Sequence, residues 1–401
     1  MSDTGPLTIL CMSTYEKGQA FIRECKRQGC RVLLLTLDKL RNADWPWDAI
    51  DETFYILREI GREELMKGVS HVARTNQIDR IVALDDFDVE MAALLREHLR
   101  VPGMGETTAR YFRDKLAERM KARNFGILVP DFVHTVNDGQ IRAFAEQTPL
   151  PWILKPRSQA AAIGMKKIER ADDLWPALEE LGDRRSFYVL ERFIPGDVFH
   201  VDAIVWDKAV VFQSMHQYGQ PPFQVAHGGG IFTTTSVPKH DPAWAALERI
   251  NRDVLTTFGL VRGVTHTEFI RSAADGRFLF LETSARVGGA FIVDLVEAES
   301  GLNLWREWAK LEIAGEEGAY RVPQVADRYA GLVLTLAKQE RPDLSGYTDP
   351  EIVFRVPKAN HAGLIVASPD ESRVRALLDQ YSVRFQQDFY AFVPAPDRPP
   401  A

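Results

Sequence analysis

The sequence has few cysteines, no long apolar run and no excess of basic residues. The three cysteines, Cys11, Cys25 and Cys30, are odd in number and lack zinc-binding spacing, which indicates inert thiols in a reducing compartment. No apolar stretch approaches the roughly 18 residues of a transmembrane helix, and the opening MSDTGPLTIL lacks a secretory-signal pattern. The net charge of −7 argues against a nucleic-acid partner. We therefore expect a cytoplasmic protein that binds neither membranes nor nucleic acid.

The first hundred residues alternate between strand and helix patterns. Strands are predicted at 7–12, 31–37 and 78–84, and helices at 18–28 and 88–100. Such alternation predicts a doubly wound parallel sheet. No GxGxxG motif follows the first strand, so a dinucleotide site of the usual kind is not expected.

An acidic cluster, Asp85, Asp86, Asp88 and Glu90, follows the third of these strands. It allows two interpretations, a metal site or a set of helix caps. Carboxylates at the start of a helix accept bonds from its unpaired amides and oppose its dipole. We favour the capping interpretation.

A predicted hairpin carries the strongest chemical signal. The turn Asp-Gly at 275–276 separates two apolar runs, as is typical of hairpins. A turn centred there places Glu268 directly opposite Glu282, with Cβ atoms roughly 5 Å apart. The period of two along the second strand then puts Glu282, Ser284 and Arg286 on one face.

Two carboxylates held this close repel each other unless one is protonated or a cation lies between them. Mg²⁺ prefers oxygen ligands together with substrate phosphates, and Arg286 suits a transferring phosphoryl group or an anionic intermediate. The alternative is a solvated hairpin face with acids placed by chance. Neighbouring Phe269 and Phe280 have core character, which favours the magnesium site over that alternative.

Two lysines and a hinge-like turn precede the hairpin. Lys155 ends a short strand and is followed by a loop of small residues at 157–164, which suits backbone contacts to phosphates. Lys115 lies on a basic helix, where a solvated lysine is the alternative. In YVLERFIPGDVFHVDAIV a strand delivers Glu191, turns at 195–196 and re-enters a strand. The backbone groups of such a turn can bind the edge of an adenine. The alternative interpretation is an ordinary hairpin.

These features, in this order, resemble the ATP-grasp superfamily over residues 105–315. The helix lysine with NFGILVP resembles the family's first lysine and its entry to the next strand, and ILKPRSQAAAIG its second lysine and phosphate loop. LERFIPGD is similar to the adenine hinge, and HTEFIRS with FLETSARVGG to the metal-binding strand pair and the following arginine. Each motif alone is a weak signal, but four in the family's order are a strong one.

The resemblance implies roles residue by residue. It implies nucleotide contacts at Lys115, Lys155, Ser158, Gly164, Glu191, Phe193, Ile194 and Asp197. It implies Mg²⁺ ligands at Glu268, Glu282 and Ser284, with Mn²⁺ as a substitute ion. Arg286 and Lys155 would be catalytic. Two positions depart from the family, which usually has Asn where this chain has Ser284 and often a ribose-binding Glu near Asp197.

The resemblance also implies the reaction. A carboxylate attacks the γ-phosphate of ATP to give an acyl phosphate, which an amine then displaces, and barriers fall through positioning and charge neutralisation. The general build looks most like the amino-acid and dipeptide ligase branch. The alternatives are a carboxylase-type member of the superfamily and an ATP-binding regulatory module without turnover.

The acceptor site is less defined. The loop MHQYGQPPFQVAHGGGIFTTT offers His227 and Gly229 as substrate contacts together with Arg286, or it is simply a mobile loop. His200, Asp202 and His266 lie on strands near the site and are either structural groups or part of it. The expected partners are a small carboxylate and an amine, and a homodimer is the default assembly.

The predicted fold class is α/β, with a doubly wound N-terminal domain, a two-lobed ATP-grasp domain and a small C-terminal α/β piece. We place the N-terminal domain at 1–104, the two lobes at 105–186 and 187–318, the C-terminal subdomain at 319–393 and a disordered tail at 394–401.

Overall fold

The computed structural model describes residues 5–159, 163–315 and 318–393. The predicted tail at 394–401 and the middle of the predicted phosphate loop, residues 160–162, lie outside the described residues. Within the described ranges, no helix is both long enough and apolar enough to cross a membrane.

The N-terminal domain is the parallel α/β unit predicted from the sequence. Its elements are β1 (Thr8–Ser13), α1 (Gln19–Arg27), β2 (Arg31–Leu37), β3 (Glu52–Ile56), α2 (Arg62–Val72), β4 (Arg80–Ala83) and α3 (Val89–Leu99). The strands pair in parallel in the order β3-β2-β1-β4. In such sheets ligands bind beyond the carboxyl ends of the strands where the order reverses, here between β1 and β4.

The smaller lobe is an antiparallel sheet with helices on it. Its elements are α4 (Glu106–Arg110), α5 (Lys115–Asn124), β5 (Phe132–His134), α6 (Asp138–Gln147), β6 (Trp152–Pro156), β7 (Lys166–Ile168), α7 (Leu174–Leu181) and β8 (Tyr188–Arg192). The strand order is β5-β8-β6-β7. β8 lies in this sheet, although the boundary predicted at residue 187 groups it with the other lobe.

The basic segment 106–125 predicts one helix from its sequence, but the structure has two helices there, so that prediction is wrong. The chain turns at residues 111–114, and α5 begins after Asp114. The Asp114 carboxylate accepts from the amide of Leu116 at 3.0 Å and caps the new helix. This second start makes Lys115 the first residue of α5, where its side chain faces the phosphate loop.

The larger lobe is built on one long antiparallel sheet. Its elements are β9 (Gly196–Trp206), β10 (Ala209–Tyr218), α8 (Pro222–Gly228), β11 (Phe232–Ser236), α9 (Pro242–Phe258), β12 (Gly263–Ser272), β13 (Phe278–Ser284), α10 (Ile292–Ser300), α11 (Leu304–Ala314), β14 (Tyr329–Ala337), β15 (Ile352–Arg355), β16 (His361–Ser368), α12 (Glu371–Asp388) and β17 (Tyr390–Ala391). The strand order is β13-β12-β9-β10-β11-β14-β16-β15, with β17 beside β14. The strands after residue 319 therefore extend this sheet.

An apolar core fixes the position of the central strands. Phe258 at the end of α9 makes edge-to-face contacts with Phe112 and Phe280, whose ring centroids lie 5.8 and 5.6 Å away. All three rings are buried, and burying each contributes on the order of 1.5–3 kcal/mol. This packing anchors β13, the strand that carries Glu282, against α9 and the segment before α5.

Candidate active site

A cavity of about 530 Å³ separates the sheet of the smaller lobe from the long sheet. Lys155 and Glu191 line it from β6 and β8, and Glu268 and Glu282 line it from β12 and β13. Lys17, in the loop after β1, reaches it from the N-terminal domain. Three parts of the chain thus meet at one cleft, and the residues of the four sequence motifs converge there.

The predicted carboxylate pair is confirmed. Glu268 lies directly opposite Glu282 in the antiparallel pairing of β12 and β13, and a bulge follows between Glu268 and Phe269. The Tyr218 hydroxyl donates to Glu268 at 2.9 Å. The ammonium of Lys115 lies 2.7 Å from Glu282. The His266 Nε2 also lies 3.7 Å from Glu268. Each carboxylate keeps further oxygen lone pairs for a ligand in the cavity.

Lys115 ties Glu282 to the phosphate loop. Its ammonium also donates to the carbonyl of Gln159 at 2.8 Å. Burial alone would raise the pKa of Glu282, but the nearby Lys115 charge lowers it to about 2. Burial alone would lower the pKa of Lys115, but the charge of Glu282 outweighs it, so the pKa of Lys115 is raised. Both groups are therefore ionised near neutral pH.

A second buried ion cluster surrounds Glu191. The Lys155 ammonium lies 2.9 Å from this carboxylate, and Arg119 donates to it at 3.3 Å. Burial would raise the pKa of Glu191, but Arg119 and Lys155 together lower it. Burial, offset in part by Lys115, raises the pKa of neighbouring Glu118 to about 8, so Glu118 is mostly neutral at pH 7. Two cations on one ionised carboxylate leave a net positive charge beside the cavity, which suits an anionic ligand.

Arg119 was missed in the sequence analysis. It is fully buried on α5, one turn after Lys115. The basic composition of this helix suggested a solvated face instead. A four-residue spacing puts two side chains on the same side of a helix, so a candidate role for Lys115 could have pointed to Arg119.

Arg286 lines the cavity near the glutamates. One of its terminal nitrogens donates to the carbonyl of Val287 at 2.8 Å, and its Nε lies 3.8 Å from Asp86. Ser284, two residues earlier, is buried but is not among the residues that line the cavity. The structure thus brings Arg286 to the same cavity as Glu268 and Glu282, whereas Ser284 is not part of the cavity lining.

The predicted hinge lies partly on the cavity. Phe193, Ile194 and Gly196 line it. A Cβ on Gly196 would lie 2.0 Å from the carbonyl oxygen of Arg271, so only glycine fits there. Asp197, the predicted ribose contact, is outside the cavity lining and pairs with Arg271 at 2.7 Å.

The residues of the phosphate loop that line the cavity differ from the ones predicted. Ser158 and Gly164 are not among the residues that line the cavity, whereas Gln159 and Ile163 are. The carbonyl of Ser158 accepts a hydrogen bond from Arg113. The loop residues on either side of the undescribed segment therefore face the cavity.

The predicted acceptor loop forms α8, and its first part covers the cavity. Residues 221–226 line the cavity, but His227 and Gly229 do not. The His227 ring contacts the Phe223 carbonyl at 3.1 Å within the helix. A Cβ on Gly229 would lie 2.1 Å from the hydroxyl of Tyr390, so this glycine permits close packing of β17.

The three residues His200, Asp202 and His266 form one buried network. Asp202 contacts Nδ1 of His200 at 2.7 Å and Nδ1 of His266 at 2.9 Å. Burial would lower the pKa of His266, but Asp202 raises it to about 9. These atoms lie within 4.8 Å of one another, close enough for a metal site. The two direct contacts already account for the arrangement, and among the three only His266 lines the cavity.

Comparison with known proteins points to one fold. No protein-family model matches the chain. It is 26% identical over 267 residues to the L-arginine-specific L-amino acid ligase of Bacillus subtilis, a match covering 65% of this chain and 64% of that protein. It is 23% identical over 193 residues to a D-alanine–D-alanine ligase of Dechloromonas aromatica (strain RCB), covering 48% of this chain and 63% of the relative. The matches thus span less than two thirds of either relative.

Solved structures match over nearly the whole chain. The L-amino acid ligase from Bacillus licheniformis superimposes with a TM-score of 0.73 at 19% identity, covering 97% of this chain and 99% of that one. The N5-carboxyaminoimidazole synthetase from Staphylococcus aureus, solved with ADP, superimposes with a TM-score of 0.71 at 15% identity, covering 95% and 98%. The chain therefore has the ATP-grasp fold of these solved structures, and its sequence is similar to amino-acid ligases.

Proposed function

We propose that the chain is an ATP- and Mg²⁺-dependent ligase that joins an amino-acid carboxylate to the amine of a second amino acid. The observation that carries the proposal is the convergence of Lys115, Lys155, Arg286 and the Glu268–Glu282 pair on one cavity. Cations placed to meet phosphates beside a pair of carboxylates suit phosphoryl transfer. The sequence similarity to an L-amino acid ligase supports an amino acid as the substrate.

The nucleotide is held between the two lobes. Its triphosphate lies against Lys115 and Lys155, and its adenine packs between Phe193 and the apolar side chains Ile153 and Leu281, all of which line the cavity. The Phe193 amide already donates to the carbonyl of Pro151 at 3.0 Å. The backbone of Phe193 therefore offers the adenine edge its carbonyl.

Glu268 and Glu282 would hold the magnesium ion. They fit this ion because both are carboxylates facing the same cavity and both keep lone pairs beyond their protein contacts. When bound, the ion would neutralise charge that develops on the transferring phosphoryl group. Ser284 lies off the cavity lining, so we assign it no direct contact with the ion. Mn²⁺, which takes similar ligands, replaces Mg²⁺ here.

The reaction has two steps. A carboxylate oxygen attacks the γ-phosphorus, the bond from that phosphorus to its bridging oxygen breaks, and ADP leaves. An amine nitrogen then attacks the acyl carbon and gives up a proton, and phosphate leaves with the original carboxylate oxygen. Arg286 stabilises the phosphoryl group, and Lys155 keeps the phosphates in line.

The second substrate lies under α8. Residues 221–226 form a cover over the cavity, and a cover of this kind excludes water that would hydrolyse an acyl phosphate. His266 and Lys17 also line the cavity and would offer positive groups to the second carboxylate. A homodimer is the assembly that we expect.

Phosphate release from ATP tests the proposal. With pairs of L-amino acids, the purified protein should release phosphate only when a suitable pair is present, and a dipeptide should appear in equal amount. Phosphate release that needs bicarbonate instead would indicate a carboxylase, the activity suggested by the structural match to the N5-carboxyaminoimidazole synthetase. Binding of ATP with no turnover across the panel would indicate a regulatory module.

A further inference from the structure

The acidic cluster after β4 contains groups with different surroundings. Asp85 accepts from the amide of Phe87 at 3.0 Å and pairs with Lys17. Asp88 accepts from the amide of Thr14 at 2.8 Å. Asp85 caps a short helical turn, as the capping interpretation predicted, whereas Asp88 makes no cap hydrogen bond and instead holds the loop after β1.

Asp86 differs because it faces the other two parts of the molecule. Its side chain is 7% exposed, and its Oδ2 accepts from Arg113 at 2.9 Å. Its Oδ1 lies 3.8 Å from Nε of Arg286. Among the described residues, both of these buried atoms lack a hydrogen-bond partner. Burying a charged atom without a hydrogen bond costs free energy. A hydrogen bond between Oδ1 of Asp86 and Nε of Arg286 would remove that cost for both atoms.

The required movement is small. A hydrogen bond between a guanidinium and a carboxylate has a length of roughly 2.7–2.9 Å, so the two atoms need to approach by about 1 Å. Arg286 stands at the end of β13, and its guanidinium lines the cavity. An approach of this size would fix the direction of the guanidinium towards the cavity.

Arg113 extends the contact to the phosphate loop. Its guanidinium stacks over the ring of Phe87 at 4.6 Å and donates to the carbonyl of Ser158. Asp86 thus contacts one cation from the segment between α4 and α5 and another from the end of β13. Through this one carboxylate, the N-terminal domain contacts both Arg113 and Arg286.

We propose that Asp86 is a positioning residue that directs Arg286 towards the γ-phosphate and, through Arg113, steadies the phosphate loop. The role of Arg286 rests on the proposed function. Asp86 itself does not line the cavity, so it acts through the two arginines. A purely structural ion pair would instead change stability without changing which nucleotide is preferred.

The test compares two nucleotides by calorimetry, in the presence of Mg²⁺. The ratio of ADP affinity to that of β,γ-imido ATP reports contacts with the γ-phosphate. Asp86→Asn should weaken β,γ-imido ATP roughly tenfold, the effect of losing one charge-assisted hydrogen bond, and leave ADP within about twofold. Asp88→Asn, in the same turn, should leave both affinities unchanged because Asp88 contacts only the N-terminal domain.

A double-mutant cycle separates the two arginines. In an Arg286→Gln background, Asp86→Asn should cause a smaller further loss of β,γ-imido ATP binding than it does in the wild-type chain, because coupled residues are non-additive and only the contact with Arg113 is left to lose. Thermal unfolding checks that each variant folds, and Asp86→Ser carries the same expectation without the bulk of asparagine. An equal loss for both nucleotides, or a full additional loss without Arg286, would overturn the proposal.

This result does not depend on the second substrate. If the wild-type chain binds both nucleotides but releases no phosphate with any amino-acid pair, the ligase proposal fails while the Asp86 experiment remains decisive. If the ligase is active and Asp86→Asn leaves the nucleotide preference unchanged, only the positioning role fails.

Discussion

Replacing Glu268 with glutamine should lower Mg²⁺-dependent ATP turnover by roughly two orders of magnitude or more, because the metal loses a charged ligand. The folded structure should survive. A glutamine carbonyl can still accept from the hydroxyl of Tyr218, which donates to Glu268 at 2.9 Å. Turnover measured across a range of Mg²⁺ concentrations, alongside thermal unfolding, would separate metal binding from stability.

Glu282→Gln should reduce turnover to a similar extent but cost more stability. Lys115 lies 2.7 Å from Glu282 and would lose its ionised partner inside the cavity. The sequence alone suggested relief of repulsion between two carboxylates, and the lysine changes that expectation. Asp275→Asn is a matched control, since Asp275 is in the same hairpin and pairs with Arg277 away from the cavity. Near-normal turnover in both glutamate variants would contradict the metal assignment.

Lys155→Ala should weaken binding of a non-hydrolysable ATP analogue by roughly two orders of magnitude, the scale of losing a preorganised charge in a water-poor site. Lys155 is buried and lines the cavity beside Glu191. Removing it also leaves Glu191 facing the phosphates with Arg119 as its remaining cation. The variant therefore loses the attraction between Lys155 and the phosphates and leaves the repulsion between Glu191 and the phosphates less screened.

Lys121→Ala is the matched control for Lys155→Ala. Lys121 lies on α5 over the ring of Phe125 at 4.6 Å and is not part of the cavity lining. Lys167 would be a poorer control, because its ammonium lies 4.5 Å from the ring centre of Phe193, which lines the cavity. Calorimetry that found equal affinities for the Lys155 and Lys121 variants would remove Lys155 from the phosphate site.

The sequence was most informative where chemistry depends on local pattern. The hairpin turn and the period of two were enough to predict that Glu268 lies opposite Glu282. The prediction of one continuous basic helix over 106–125 failed at Asp114, where a capping carboxylate starts a new helix. Helix caps compete with periodicity over only a few residues, so a window-based pattern passes over them.

Contacts between distant segments could not be predicted in this way. The role of Gly229 depends on Tyr390, which β17 brings against it from far along the chain. The sequence around Asp86 predicts a helix-capping role. Its proximity to Arg286 depends on how the N-terminal domain packs on the long sheet. Each of the four motifs supplied residues that line the cavity. The ion-pair partners that shift the pKa of these residues could be identified only in the folded structure.

Transfer of an oxygen atom from the substrate carboxylate to phosphate shows whether an acyl phosphate forms. Lys115, Lys155 and Arg286 line the same cavity as the Glu268–Glu282 pair, so we expect cleavage between the β- and γ-phosphates. An amino-acid substrate labelled with ¹⁸O in its carboxylate should then pass one labelled oxygen to inorganic phosphate for each dipeptide formed, with ADP as the other product. Unlabelled phosphate, or label recovered in AMP, would contradict this mechanism.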